Sequence, residues 1–190
     1  MRILSSLLLS VLLLDCSNPV QQTLSINLDD PQLQGQGKFL LYKNSLFTGK
    51  VHEQFESGEL RSESHYTNGL LHGAHSTWFE DGKRETMRFY DQGEKEGIHA
   101  GWWPNGNQRF FYSFSKGLYD GPFKEWYPDG KRMHEFEYQN GKEVRAMGWR
   151  ENGKTYINFV VRNGKKYGLT NARLCYSLKD EKGIYSITKN

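Results

Sequence analysis

Cysteine is almost missing from this chain: there are two in 190 residues, Cys16 and Cys175. That excludes the multi-disulfide framework that staples many small secreted domains. Hydrophobic residues are also scarce, at 36% of the sequence, which is low for a domain wrapped around one deep core. No excess of one charge exists: 25 Lys and Arg stand against 22 Asp and Glu, the net charge is +3, and the basic residues are spread through the chain. That distribution argues against a nucleic-acid partner. The chain also lacks a Gly-x-Ser-x-Gly elbow, a phosphate-binding loop, a dinucleotide fingerprint and a Cys-x-x-Cys pair. None of the reaction classes announced by those motifs has support.

What the sequence does contain is rings and glycine. It has 11 Tyr, 11 Phe, 5 Trp and 20 Gly, and the glycines lie on a lattice with a period of 24 residues. Gly49, Gly73, Gly97 and Gly121 form one column, Gly58, Gly82, Gly106 and Gly130 a second, and Gly69, Gly93, Gly117 and Gly141 a third. A fixed period of this length marks a tandem array of small identical units. Many rings with few aliphatics suit a thin sheet covered by flat side chains.

Turn chemistry defines the unit. Pro104-Asn105-Gly106 and Pro128-Asp129-Gly130 place a fixed φ, a residue tolerant of the bridge region and a glycine in succession. Asn68-Gly69, Asn140-Gly141 and Asn163-Gly164 are hairpin signals. Between the turns the spacing predicts strands over 73–79, 83–90, 97–103, 107–114, 121–127 and 131–138. Side chains at Ser64 and Tyr66, Arg88 and Tyr90, Tyr112 and Phe114, Phe136 and Tyr138, and Phe159 and Val161 recur at alternate positions, so one face is expected to be mostly aromatic. The expected fold is all-β: an elongated, twisted antiparallel meander of 24-residue hairpin repeats over residues 37–168, closed by a C-terminal cap over 169–190. A half unit precedes Gly49, and the period slips after Gly141, where Arg145 replaces the first-column glycine. Atypical end units are what capping requires.

Trp126-Tyr127-Pro128-Asp129-Gly130-Lys131 and Tyr138-Gln139-Asn140-Gly141-Lys142 carry a specific likeness. A unit of this form resembles the MORN-repeat variant. With its N-terminal segment, the chain is similar to bacterial proteins of the YwqK-type antitoxin or membrane-binding lipoprotein group. That resemblance implies a binding scaffold without a cofactor.

The first 15 residues read as a signal peptide: Met1 and Arg2, then an apolar run from Ile3 to Leu14 too short to span a bilayer comfortably. The run stops at Cys16, and Leu13-Leu14-Asp15-Cys16 resembles a bacterial lipobox, with Asp15 where a small residue is usual. Lipidation at Cys16 would make an exported, membrane-anchored protein of the cell envelope; an ordinary cleaved signal is the alternative. Residues 17–36, rich in Gln, Asn, Asp and Ser, read as a polar tether. Cys175 reads as a small buried hydrophobe in a C-terminal strand.

Candidate chemistry is thin. His75 and His99 hold equivalent positions, but equivalent residues of a meander lie two strands apart, about 10 Å, too far to share one zinc. No metal site is expected. The carboxylate pairs Glu94 and Glu96, and Glu135 and Glu137, read as solvated, because a thin sheet offers no cleft to desolvate one member. The Trp column of Trp78, Trp102, Trp126 and Trp149 and the neighbouring column of Phe55, Phe79, Trp103 and Tyr127 should run as two ladders, one on each face. Trp78, Trp102, Trp103 and Trp126 are therefore the candidate contacts for a partner protein or anionic lipid headgroups. The expected function is non-catalytic: a repeat surface that binds a partner at the envelope side of a membrane, or alternatively an antitoxin that masks a toxin.

Overall fold

The computed structural model describes residues 23–170. The signal segment, Cys16 and Cys175 lie outside the described residues, as does the expected cap beyond Thr170.

Sixteen strands follow one another. The first four are β1 (Ser25–Asn27), β2 (Leu33–Gln36), β3 (Phe39–Tyr42) and β4 (Ser45–Leu46). The array then runs through β5 (Gly49–Gln54), β6 (Leu60–Thr67), β7 (Leu70–Trp78), β8 (Arg84–Asp91), β9 (Glu94–Lys95) and β10 (Gly97–Trp102). It ends with β11 (Gln108–Ser115), β12 (Leu118–Trp126), β13 (Arg132–Gln139), β14 (Lys142–Trp149), β15 (Thr155–Arg162) and β16 (Lys165–Leu169). From β5 onward each strand pairs antiparallel with the next in one long sheet, with the two-residue β9 pairing only to β8. The all-β meander expected from the glycine lattice is the fold of the described residues.

The hairpin turns form as their sequences require. Asn140 and Gly141 adopt φ of 48° and 77°. Two successive left-handed residues give the turn whose twist matches its flanking strands. At the opposite ends of the strands the Asx residue of each tripeptide turn closes the loop itself: Asp81, Asn105, Asp129 and Asn152 accept from the backbone N–H two residues on, at 3.0–3.1 Å.

Three expectations need correction. The first glycine column starts a strand at Gly49 and Gly97 but not at Gly73 and Gly121: β7 and β12 begin at Leu70 and Leu118 and pass through those glycines, where the pairing register slips. They end at Trp78, Trp102 and Trp126, one residue earlier than the spacing suggested, because the next residue opens the turn; Trp103 N–H donates to the Asn107 carbonyl at 2.8 Å. The sheet is not wholly antiparallel, since β1 pairs parallel with β5.

The third correction concerns the polar tether. Residues 25–36 form β1 and β2, and β2, β3 and β4 make a separate three-stranded sheet. Ile26, Phe47 and Val51 are buried together, with Leu33, Leu40, Tyr42 and Tyr66 packed around them. Ile26 and Leu33, in a segment that also carries Leu24 and Leu28, thus close the first edge of the array. A parallel partner is possible because the long excursion through β2–β4 lets the chain return in the same direction.

Beyond this N-terminal cluster the sheet has no second layer among the described residues. Every element pair in extensive contact is a pair of hydrogen-bonded neighbours. Sheets ordinarily bury one face against another layer. Here the compensation is ring-on-ring packing within the single face.

Candidate functional site

Register brings that face together. Gly73 pairs with Tyr90, His75 with Arg88, and Thr77 with Thr86. Gly97 pairs with Phe114, His99 with Tyr112, and Gly101 with Phe110. Gly121 pairs with Tyr138, Phe123 with Phe136, and Glu125 with His134. Side chains opposite one another in a ladder point the same way. The alternate aromatic positions of the sequence therefore do lie on one face.

The rings stack on one another. Tyr112 is sandwiched between Phe110, at 4.7 Å and 14°, and Phe123, at 4.3 Å and 20°. Phe136 stacks on Phe123 at 5.3 Å, and Phe114 on Tyr119 at 4.5 Å. Tyr90 stands between His75 and His99, its ring 6.5 Å and 5.3 Å from theirs. Each histidine has another partner: His75 Nδ1 is 2.8 Å from Ser64 Oγ, and His99 Nε2–H donates to the Phe89 carbonyl at 2.7 Å. Burial pushes both imidazoles below their ordinary range, and Arg88 pushes each further down. No metal-holding group of His, Cys, Asp or Glu occurs among the described residues.

Two open grooves cut this face, which corrects the expectation that a thin sheet offers no cleft. Side chains projecting from the sheet supply the walls. The first groove, about 470 Å³, has Arg88, Lys95 and Arg109 above a floor of Phe110, Tyr112 and Phe114. The second, about 640 Å³, is bordered by Glu53, Glu80 and Glu85, with Arg61. The two are opposite in charge. In the first, three cations face one carboxylate, Glu125. In the second, three carboxylates face one cation, and Arg61 is paired with Glu53 at 3.0 Å. Arg109 and Glu85, 3.9 Å apart, mark the boundary between them.

Glu125 anchors the far wall of the first groove. Its carboxylate accepts from Tyr112 Oη–H at 2.5 Å and lies 2.6 Å from His134 Nδ1; His134 Nε2 lies 2.6 Å from Tyr156 Oη. Burial raises the Glu125 pKa, but the bonds from His134 and Tyr112 outweigh it and leave the group below its ordinary value. Burial and the bond to Glu125 push the Tyr112 phenol far above its ordinary range. This network holds the phenol as a fixed donor rather than an acid. Sequence reasoning missed it, because its members are 9 to 22 residues apart in the chain.

The four tryptophans singled out from the sequence are not equivalent. Trp103 and Trp126 line the first groove together, and Trp103 Nε1–H donates to the Trp126 carbonyl at 3.1 Å. Trp78 lines the second groove with Phe55 and Phe79. Trp102 lines neither groove. The expected split of neighbouring rings onto opposite faces fails at Trp78 and Phe79, whereas Trp103 lines a groove that Trp102 does not. The pairing register shifts at each strand end, between Gly101 and Trp102 for example, and the residue after the tryptophan belongs to the turn. Neighbours such as Trp78 and Phe79 therefore share one groove. The other carboxylate pairs are engaged locally: Glu96 accepts from the Lys116 N–H at 2.8 Å, and Glu135 is paired with Arg132.

Arg88 stands on β8, Lys95 on β9, Arg109 and the floor rings on β11, and Glu125 on β12. No curated protein matches the chain. Residues 119–140, which hold most of β12, its Pro-Asp-Gly turn and β13, match the MORN repeat variant.

Proposed function

We propose that the protein is a non-catalytic repeat scaffold that holds a partner protein against its grooved aromatic face. Acylation of Cys16 keeps it on the cell-envelope side of a membrane. The observation that carries the binding reading is the missing second layer: a long sheet with one ring-covered face and nothing packed over it among the described residues. Grooves lined by rings with a few charged groups are the usual form of a binding site. The rings, hydrogen-bonded carboxylate and cations are built to hold a surface. Engagement of the Tyr112 phenol and the Glu125 carboxylate with each other and with His134 supports the non-catalytic reading.

A photo-crosslinking amino acid placed at Trp126, in the first groove, and separately at Phe111, on the opposite face, tests the reading in the cells that make the protein. A protein adduct from position 126 and none from 111 is expected. Adducts predominantly from position 111, or adducts only to lipid, would remove it. Cys16→Ser should release the protein from the membrane fraction; unchanged retention would remove the tether.

A further inference from the structure

The geometry points to the first groove as the seat of an acidic peptide segment of the partner, with carboxylates on Arg88, Lys95 and Arg109. This deepens the scaffold reading and rests on it.

Charge is the first support. Arg88 and Lys95 have no carboxylate within ion-pair distance among the described residues, and the nearest carboxylate to Arg109 is Glu85 at 3.9 Å. The cations are instead parked on rings. Lys95 Nζ lies 5.0 Å from the Phe114 centroid, and the Arg109 guanidinium lies 5.2 Å from Phe110 and 5.6 Å from Trp103. Arg88 is 6.0 Å from Phe110. A cation on an aromatic face keeps its outward donors for an anion.

The rings select among anionic occupants. Stacking engages both faces of Tyr112, and cations lie over the rings of Phe110 and Phe114. A sugar would need free ring faces to stack on, and the floor offers few. The floor extends from β8 across β10, β11 and β12 to β13. Four strand spacings make about 19 Å, the reach of roughly six extended residues. The second groove, with Glu53, Glu80 and Glu85, repels the same peptide and confines it to the first.

The probe is a blocked, fluorescently labelled peptide of alternating glutamate and leucine, titrated by anisotropy against the full chain at low and high salt. Binding that weakens with salt is expected, because the contacts are between charges. Arg88→Gln combined with Lys95→Gln should weaken it at least tenfold, and Lys83→Gln, whose ammonium is paired with Asp81 outside both grooves, should leave it unchanged. Circular dichroism confirms that each variant keeps its strands. No binding by the unaltered chain, equal loss in Lys83→Gln, or preference for phosphatidylserine vesicles over the peptide would each overturn the proposal. The crosslinking result separates the two levels. An adduct at position 126 with no peptide binding ends this inference alone, whereas adducts only at 111 end the scaffold reading.

Discussion

His134 Nδ1 lies 2.6 Å from Glu125 Oε2 across the β12–β13 pair. The contact ties the stability of the groove wall to the charge on one carboxylate.

Because the folded Glu125 pKa is depressed below 4.5, its contribution to stability is complete above that value and is lost as pH falls through the folded value. Glu125→Gln should therefore cost about 1.5–3 kcal/mol at neutral pH, the range for hydrogen bonds to a charged group. The difference between the two proteins should shrink steadily below pH 4.5. Urea midpoints for both proteins across pH check the sign. A difference that grows on acidification would refute it.

Lys116 holds φ of 49° in a turn where Asn140 holds 48°. A left-handed backbone strains lysine more than asparagine, whose short polar side chain tolerates it. Lys116→Asn should stabilise the protein by about 0.5–1 kcal/mol. The backbone N–H at 116 still donates to Glu96. Thermal denaturation of the single variant checks this.

Gly101 lies outside the 24-residue lattice. A Cβ there would sit 2.2 Å from the Phe110 ring, the residue that covers it across the strand pair. Gly101→Ala should push that ring out of its stack and cost about 1–3 kcal/mol, the usual range for overpacking. The effects of Gly101→Ala and Phe110→Leu should be strongly non-additive, because the smaller side chain relieves the clash. Additive losses in a double-mutant cycle would place the strain elsewhere.

Excision of residues 97–120 removes one period and joins Glu96 to Gly121, an equivalent first-column glycine. Neighbouring units are clasped turn to turn: Asn105 Nδ2 donates to the Pro128 carbonyl at 2.7 Å, and Tyr127 Oη–H to the Trp149 carbonyl at 3.0 Å. A quasi-one-dimensional array should lose one increment of stability and still fold. Circular dichroism should show unchanged strand content per residue. Collapse to an unfolded chain would mean that the sheet is one indivisible core.

The sequence by itself determined the local structure. Asn-Gly pairs, Asx turns and the glycine period dictate where the chain reverses, because left-handed φ and side-chain-closed turns are properties of a few consecutive residues. Alternation then places Tyr66, Tyr90, Phe114 and Tyr138 on one face, since a strand has a period of two whatever it packs against. Only the tertiary structure decided the rest. Register shifts at the strand ends put Trp103 and Trp126 in one groove and leave Trp102 out of it, and a shift depends on the partner strand. Ile26 and Leu33 became part of a folded edge because Phe47 and Val51 needed covering, a demand that arises far along the chain. The basic and acidic grooves have the same origin. Their charges are scattered in sequence and become a pattern only when neighbouring strands present them on one face.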